Sequence, residues 1–149
     1  MNVLENEIKE KISRLEIIEE SIKRLKTIAK KPLSEYLKDP YIQAAAERFL
    51  HKAIEATIDL ANMLVARKCK KTPRGYVDVF NILEEEGLLS HNLAEEGRGM
   101  AKFRILLVHG YIRVDPKLIY EILQKKLDVI LNISKEIVRK LQDEYYQDS

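Results

Sequence analysis

The sequence predicts an all-α protein, an up-and-down bundle of four to five helices. Two observations predict this class. Apolar residues recur at intervals of three and four over long stretches, which is the period of one face of a helix. Glycine and proline number only five and four, and most of them lie between these stretches, where they end helices. We therefore expect long helices, short loops and no strand.

Residues 2–29 predict one long amphipathic helix, whose other face is mostly Lys, Glu and Arg. The predicted apolar face consists of Leu4, Ile8, Ile12, Leu15, Ile18, Ile22, Leu25 and Ala29. Pro32 ends this helix, and a polar connector over residues 33–39 is expected to follow. The helix is long enough to pair with a second chain.

Asp39-Pro40 predicts the start of the second helix, since aspartate is a favoured N-cap and proline suits the first helical position. This helix is expected to end near Lys68. Its predicted buried face consists of Ile42, Ala46, Phe49, Ala53, Ala56, Leu60 and Leu64. A loop over residues 70–75 then leads to a short helix over residues 76–86, which Gly87 ends.

A fourth helix is predicted over residues 91–109, with Gly110 after it. Gly97 and Gly99 should weaken it by about 1 kcal/mol each relative to alanine where they are exposed. Asp115-Pro116 repeats the N-cap and proline pattern and predicts a fifth helix that continues to about Tyr145.

Composition limits the function classes. At 149 residues the chain fits a single domain, with the long N-terminal helix over 2–30 and the remaining core over 40–145. Lys and Arg total 26 against 24 Asp and Glu, and a net charge of +2 excludes a strongly basic coat protein and an acidic disordered chain. The single cysteine, Cys69, excludes an intramolecular disulfide. Without a long apolar run or a signal-peptide pattern, we expect a cytoplasmic protein.

Familiar catalytic and ligand motifs are missing from the sequence. The three histidines, at positions 51, 91 and 109, do not follow the spacing of a helical zinc site. There is also no glycine-rich phosphate loop and no nucleophile elbow, so no metal and no cofactor is predicted. His51 and His91 are expected to be solvated surface residues.

The stretch over residues 103–111 places Arg104, His109 and Tyr111 at the end of an otherwise apolar helix. Arg104 and His109 are about 140° apart on an ideal helix, yet both can reach one cleft from its last turn. RNA cleavage without a metal needs a base for the 2′-hydroxyl proton, a cation at the phosphate and an acid for the leaving oxygen. Histidine supplies the acid or base, and arginine binds phosphate oxygens.

A structural explanation exists for the same residues. A histidine at a helix C-terminus interacts favourably with the helix dipole, and Arg104 can be the partner of a structural ion pair. Because Arg-x-x-x-x-His is a loose pattern, spacing alone favours this explanation.

The surroundings of the motif resemble the HepT family of minimal HEPN proteins, which are toxins paired with MntA-type minimal nucleotidyltransferases. The family motif is Arg, a polar residue, three residues, His, one residue and Tyr, which corresponds here to Arg104, His109 and Tyr111. The other matching stretches are Glu47-Arg48-Phe49-Leu50, Ile58-Asp59-Leu60-Ala61-Asn62, Tyr76, Phe80-Asn81-Ile82-Leu83 and Met100-Ala101-Lys102-Phe103. The resemblance covers residues 47–131.

This resemblance implies a HEPN-like homodimer that cleaves RNA without a metal, with Arg104 and His109 of both chains at the dimer interface. It also implies that a nucleotidyltransferase antitoxin transfers AMP to Tyr111 and silences the toxin. One position departs from the family pattern: Ile105 stands where a small polar residue is usual. Ile105 favours a second hypothesis, a non-catalytic HEPN protein that binds a nucleotidyltransferase.

Two further features each have two interpretations. Asp59 is a carboxylate that either orients Arg104 across the bundle or forms a structural ion pair. A basic cluster follows the second helix, and it either contacts RNA or an acidic partner or stays solvated at the helix end. Its residues are Arg67, Lys68, Lys70, Lys71 and Arg74.

Overall fold

A computed structural model describes residues 2–109 and 113–147, and within them it contains seven α-helices and no strand. The helices are α1 (Val3–Ala29), α2 (Leu33–Lys38), α3 (Pro40–Lys68), α4 (Tyr76–Glu85), α5 (His91–Val108), α6 (Pro116–Lys125) and α7 (Leu127–Gln147). The predicted all-α class is confirmed. None of these helices is long and apolar enough to cross a membrane.

Helix α3 is the centre of the bundle, because it contacts each of the other six helices. Its composition explains this position. Small side chains at Ala46, Ala53, Ala56 and Ala61 are buried, and they let neighbouring helices approach the α3 backbone closely. Side chains on several faces of α3 therefore meet neighbouring helices.

Side-chain caps fix where the helices begin. The Asp39 carboxylate accepts hydrogen bonds from the backbone N–H groups of Tyr41 and Ile42, and Asp115 accepts one from Lys117. Proline occupies the first turn of both helices. The predicted starts of these two helices are confirmed.

The predicted connector over residues 33–39 contains a helix instead, the single-turn α2. Tyr36 explains the difference, since its fully buried ring lies 5.3 Å from the ring of Tyr120 on α6. The Tyr120 hydroxyl donates a hydrogen bond to the backbone carbonyl of Lys31, 2.6 Å away. Contacts from α6, which is distant in sequence, thus order a segment that the sequence pattern predicts to be a loop.

The predicted single fifth helix was also wrong, because it is two helices, α6 and α7, separated at Lys126. The backbone N–H of Lys126 still bonds to Ile122, but its side chain reaches Glu96 on α5 at 2.9 and 3.0 Å. The helix count is therefore seven rather than four to five. On α1, the predicted apolar face is buried only in part, since Ile18, Ile22 and Leu25 are buried but 48% of Ile12 is exposed.

Gly97 permits the close packing of α5 on α4. It is buried, and a Cβ atom added there would come within 3.0 Å of three ring atoms of Phe80. Gly99, two residues later, has no atom within 4 Å of its would-be Cβ. The two glycines of α5 therefore have different roles, which the sequence pattern did not separate.

We expect Gly97→Ala to lower the free energy of unfolding by about 1–3 kcal/mol, because the added methyl group forces Phe80 out of its packing. Gly99→Ala is the matched control and should stabilise the protein by up to about 1 kcal/mol through helix propensity. Urea denaturation of both variants measures these changes. Equal effects of the two substitutions would contradict the assigned packing.

Candidate functional site

Arg104 on α5 is fixed by a bidentate ion pair with Glu55 on α3. Its Nε lies 2.5 Å from one carboxylate oxygen of Glu55, and its Nη2 lies 3.1 Å from the other. The guanidinium carbon is also 4.2 Å from the centre of the Tyr76 ring on α4, a cation–π contact. Only 19% of the Arg104 side chain is exposed. Three helices therefore set the position of the motif arginine.

The ion pair determines the charge state of Glu55. Hydrogen bonding from Arg104 lowers the pKa of the Glu55 carboxyl below its usual value, although partial burial opposes this change. The pair occupies the Nε–Nη2 edge of the guanidinium. The Nη1 group takes no part in this pair.

His109 lies at the C-terminal end of α5, where its backbone N–H bonds to the carbonyl of Ile105 at 3.3 Å. Its side chain is half-buried. Ile105 and Val108 fall between Arg104 and His109 around the helix, and they are 51% and 46% exposed. The motif residues thus border an exposed apolar surface. Tyr111, the predicted site of modification, lies outside the described residues, as does Gly110.

Asp59 does not take the role of holding Arg104. Its carboxylate accepts a hydrogen bond from Nε of Arg14 on α1, at 3.3 Å. Partial burial raises the pKa of Asp59 above its usual value, although Arg14 opposes the change. Asp59 therefore lies in an ion pair with Arg14, and the carboxylate that contacts Arg104 directly is Glu55, one helical turn earlier.

His51 was expected to be solvated, but only 25% of its side chain is exposed. Its Nε2 lies 3.6 Å from a carboxylate oxygen of Glu55, and its Nδ1 lies 3.5 Å from Arg48. Sequence reasoning missed both His51 and Glu55, although their spacing of four places them on one face of α3. His91 is exposed as predicted, and it contacts Glu84 at 2.9 Å.

The basic cluster is only partly available to a ligand. Arg67 forms an ion pair with Glu7 at 2.8 Å, and Lys71 forms one with Glu85 at 2.7 Å. The exposed members of the cluster are Lys68, Lys70, Lys71 and Arg74. This cluster follows the C-terminal end of α3, whereas Glu55 lies in the middle of that helix.

Within residues 2–109 and 113–147, no group of three or more His, Cys, Asp or Glu side chains could hold a metal ion. The chemistry that the site offers is that of its own residues, an oriented guanidinium and an imidazole at the end of the same helix.

Comparison with known proteins identifies the family. Residues 18–137 match the family model described as "Ribonuclease HepT-like". The chain therefore belongs to the HepT-like ribonuclease family. The mRNA nuclease HepT of Shewanella oneidensis is 24% identical over 117 residues, which are 78% of this chain and 87% of that protein. The putative RNase YutE of Bacillus subtilis is 24% identical over 102 residues, which are 68% and 71% of the two proteins.

A solved structure supports the same fold. The tri-AMPylated Shewanella oneidensis HEPN toxin, solved in complex with MNT antitoxin, superposes with a TM-score of 0.79 at 22% identity. The superposition covers 93% of this chain and 99% of that chain. The predicted HEPN-like fold is confirmed.

The two carboxylates of α3 should titrate in opposite directions. The pKa of Glu55 lies below its usual value of 4.5 because Arg104 binds it, and the pKa of Asp59 lies above 3.8 because burial dominates. The Glu55 pair therefore stabilises the fold above pH 4.5, and this contribution is lost as the pH falls through the lowered pKa. Asp59 has the opposite effect. Because its pKa is raised in the folded protein, its contribution to the stability of the fold is present below pH 3.8 and is lost as the pH rises through the raised pKa.

Carboxyl NMR titration of the wild type and Arg104→Gln tests this assignment. We expect the substitution to raise the pKa of Glu55 clearly and that of Asp59 only slightly, because Asp59 is bound by Arg14 instead. A Glu55 pKa that is the same in both proteins would contradict the ion pair.

Proposed function

We propose that this protein is a metal-independent endoribonuclease toxin of a toxin–antitoxin pair. The observation that carries the proposal is the oriented Arg104, which is held on one edge by Glu55 and on one face by Tyr76. A guanidinium that is held in this way binds phosphate without first losing its own rotational freedom. The family relationship supports the activity, since relatives of this chain are described as an mRNA nuclease and a putative RNase.

The proposed reaction uses the ribose 2′-hydroxyl as nucleophile. His109 removes the 2′-hydroxyl proton as general base, or protonates the leaving 5′-oxygen as general acid. The Nη1 edge of Arg104 binds the nonbridging oxygens of the phosphate and stabilises the charge that develops on them. One chain offers a single motif histidine, and a second copy would supply another, so that each proton transfer has its own histidine.

We place the composite site at a homodimer interface that includes the exposed end of α5. Ile105 and Val108 form an apolar surface beside both motif residues, and burial of such surface favours association. A second copy on this surface would bring its own Arg104 and His109 near those of the first. Ile105 would then serve the interface rather than the chemistry.

We further propose that the partner is an MntA-like nucleotidyltransferase antitoxin, which transfers AMP to Tyr111. Solved complexes of toxins similar in fold contain an MNT or MntA antitoxin, and one of these toxins is AMPylated. AMP on Tyr111, seven positions after Arg104 in the sequence, would add an anion that can compete with RNA for the guanidinium and a bulky group that can exclude the substrate. The exposed Lys68, Lys70 and Arg74 are candidates for contact with RNA or with this partner.

A second candidate function is a non-catalytic HEPN partner of a minimal nucleotidyltransferase. Two observations favour it: Glu55 neutralises part of the Arg104 charge, and an isoleucine follows the motif arginine where a polar group is usual in the family. In this case the protein would bind its partner through the same surface and would leave RNA intact.

RNA cleavage in excess EDTA separates these candidates. We expect purified wild type to cleave RNA, and His109→Ala to lose about 10²–10⁴-fold of the rate, as for loss of a general acid or base. Arg104→Lys should also be slower, because lysine lacks the planar fork that fits both Glu55 and phosphate.

His91→Ala is the matched control, since His91 is a surface histidine paired with Glu84, and it should cleave at the wild-type rate. Intact mass confirms beforehand that Tyr111 is unmodified. If unmodified wild type cleaves none of a broad set of RNAs, the ribonuclease proposal fails and the partner-binding function takes its place.

A further inference from the structure

A cavity with a volume of about 360 Å³ lies between α1 and α3, beside the Glu55 partner of Arg104. We call it the α1–α3 cleft. Helix α3 presents one face to it, and α1 forms the opposite wall. The residues that matter for its chemistry are Arg14 and Ile17 on α1, and Arg48, His51, Lys52 and Glu55 on α3.

The charges in this cleft do not cancel. Both of its carboxylates already have arginine partners, since Glu55 binds Arg104 and Asp59 binds Arg14. In the described part of the chain, no ion pair joins Arg48 or Lys52 to a carboxylate. Both side chains are exposed and lie one helical turn apart on the same face of α3. Within the described residues, the cleft therefore has two cationic side chains, Arg48 and Lys52, without an ion-pair partner.

The cleft is adjacent to the proposed catalytic site, because Glu55 lines the cleft and also binds Arg104. One carboxylate oxygen of Glu55 contacts Nε of Arg104, and the same oxygen is 3.6 Å from Nε2 of His51 in the cleft. A strand whose phosphate lies on Arg104 thus has the cleft directly beside it. Exposed Ile17 adds an apolar wall at the other side of the opening.

The α1 wall comes from a part of the chain that precedes the family match. That match begins at residue 18, whereas Arg14 and Ile17 precede it on α1. The Arg14–Asp59 and Glu7–Arg67 ion pairs attach this part of the helix to α3. One wall of the cleft is therefore formed by residues outside the matched region, and the other wall, on α3, lies within it.

We propose that the α1–α3 cleft binds the backbone of single-stranded RNA next to the cleaved phosphate. Arg48 and Lys52 contact phosphates of the flanking nucleotides, and Ile17 packs against a ribose or base. Cations without an ion-pair partner in a groove favour binding of a polyanionic strand, because each contact between a cation and a phosphate releases a condensed counterion. This proposal rests on the ribonuclease function, but it concerns affinity for RNA and not the chemical step.

Fluorescence anisotropy tests the cleft independently of cleavage. The probe is a labelled single-stranded 2′-O-methyl RNA, which keeps its phosphates but has no nucleophilic hydroxyl. Wild type and the double variant Arg48→Ala/Lys52→Ala are titrated in EDTA from about 50 to 200 mM salt. We expect severalfold weaker binding by the double variant, and a slope of log affinity against log salt that is smaller in magnitude by about 1.4, or 0.7 for each lost phosphate contact.

The matched control is Lys23→Ala/Lys30→Ala on α1, whose side chains are exposed and, among the described residues, form no ion pair. It removes the same number of positive charges but lies outside the cleft. Circular dichroism verifies that both variants fold. If the two double variants have equal affinity and equal salt slopes, or if wild type does not bind the probe, the cleft assignment is wrong. Absence of RNA cleavage by a protein that binds the probe through these residues would instead refute the ribonuclease function and leave the cleft assignment standing.

Discussion

The ion pair between Glu55 and Arg104 connects the core of this protein to its candidate site. Glu55 belongs to α3, the helix that touches all others, and Arg104 belongs to α5, which carries the motif at its end. A half-buried charge pair is retained only when both partners are present, because either one alone is left desolvated without compensation. The direction of the guanidinium therefore depends on how α3, α4 and α5 pack. Small buried residues such as Ala53 on α3, and Gly97 where α5 meets α4, permit this close packing.

Much of the helical pattern could be predicted from the sequence, because local signals decide it. Aspartate followed by proline marks the starts of α3 and α6, and Gly87, with φ of +71°, follows the end of α4. The division between α6 and α7 has no local signal. At Lys126 there is neither glycine nor proline, and the break accompanies an ion pair with Glu96 on a different helix. Helix α2 similarly depends on burial of Tyr36 against α6, which no pattern within its six residues indicates.

The site could be predicted only in part for the same reason. The spacing of Arg104, His109 and Tyr111 is visible in the sequence, and so is the presence of two carboxylates on one face of α3. Which carboxylate meets Arg104 depends on where α1 and α5 cross α3. Arg14 on α1 binds Asp59, and Arg104 on α5 binds Glu55. His51 joins the group through Glu55, a contact that a search for histidine spacing does not consider.

A catalytic motif, unlike a purely structural one, leaves its mark on the cleaved RNA. If His109 acts on the ribose 2′-hydroxyl while Arg104 binds the phosphate, the 2′-oxygen must end up bonded to that phosphate. The most direct measurement is mass spectrometry of the termini of RNA cleaved in EDTA. We expect 2′,3′-cyclic phosphate and 5′-hydroxyl ends. Products with 5′-phosphate and 3′-hydroxyl ends would contradict this mechanism, because they arise from attack by water and not by the neighbouring hydroxyl.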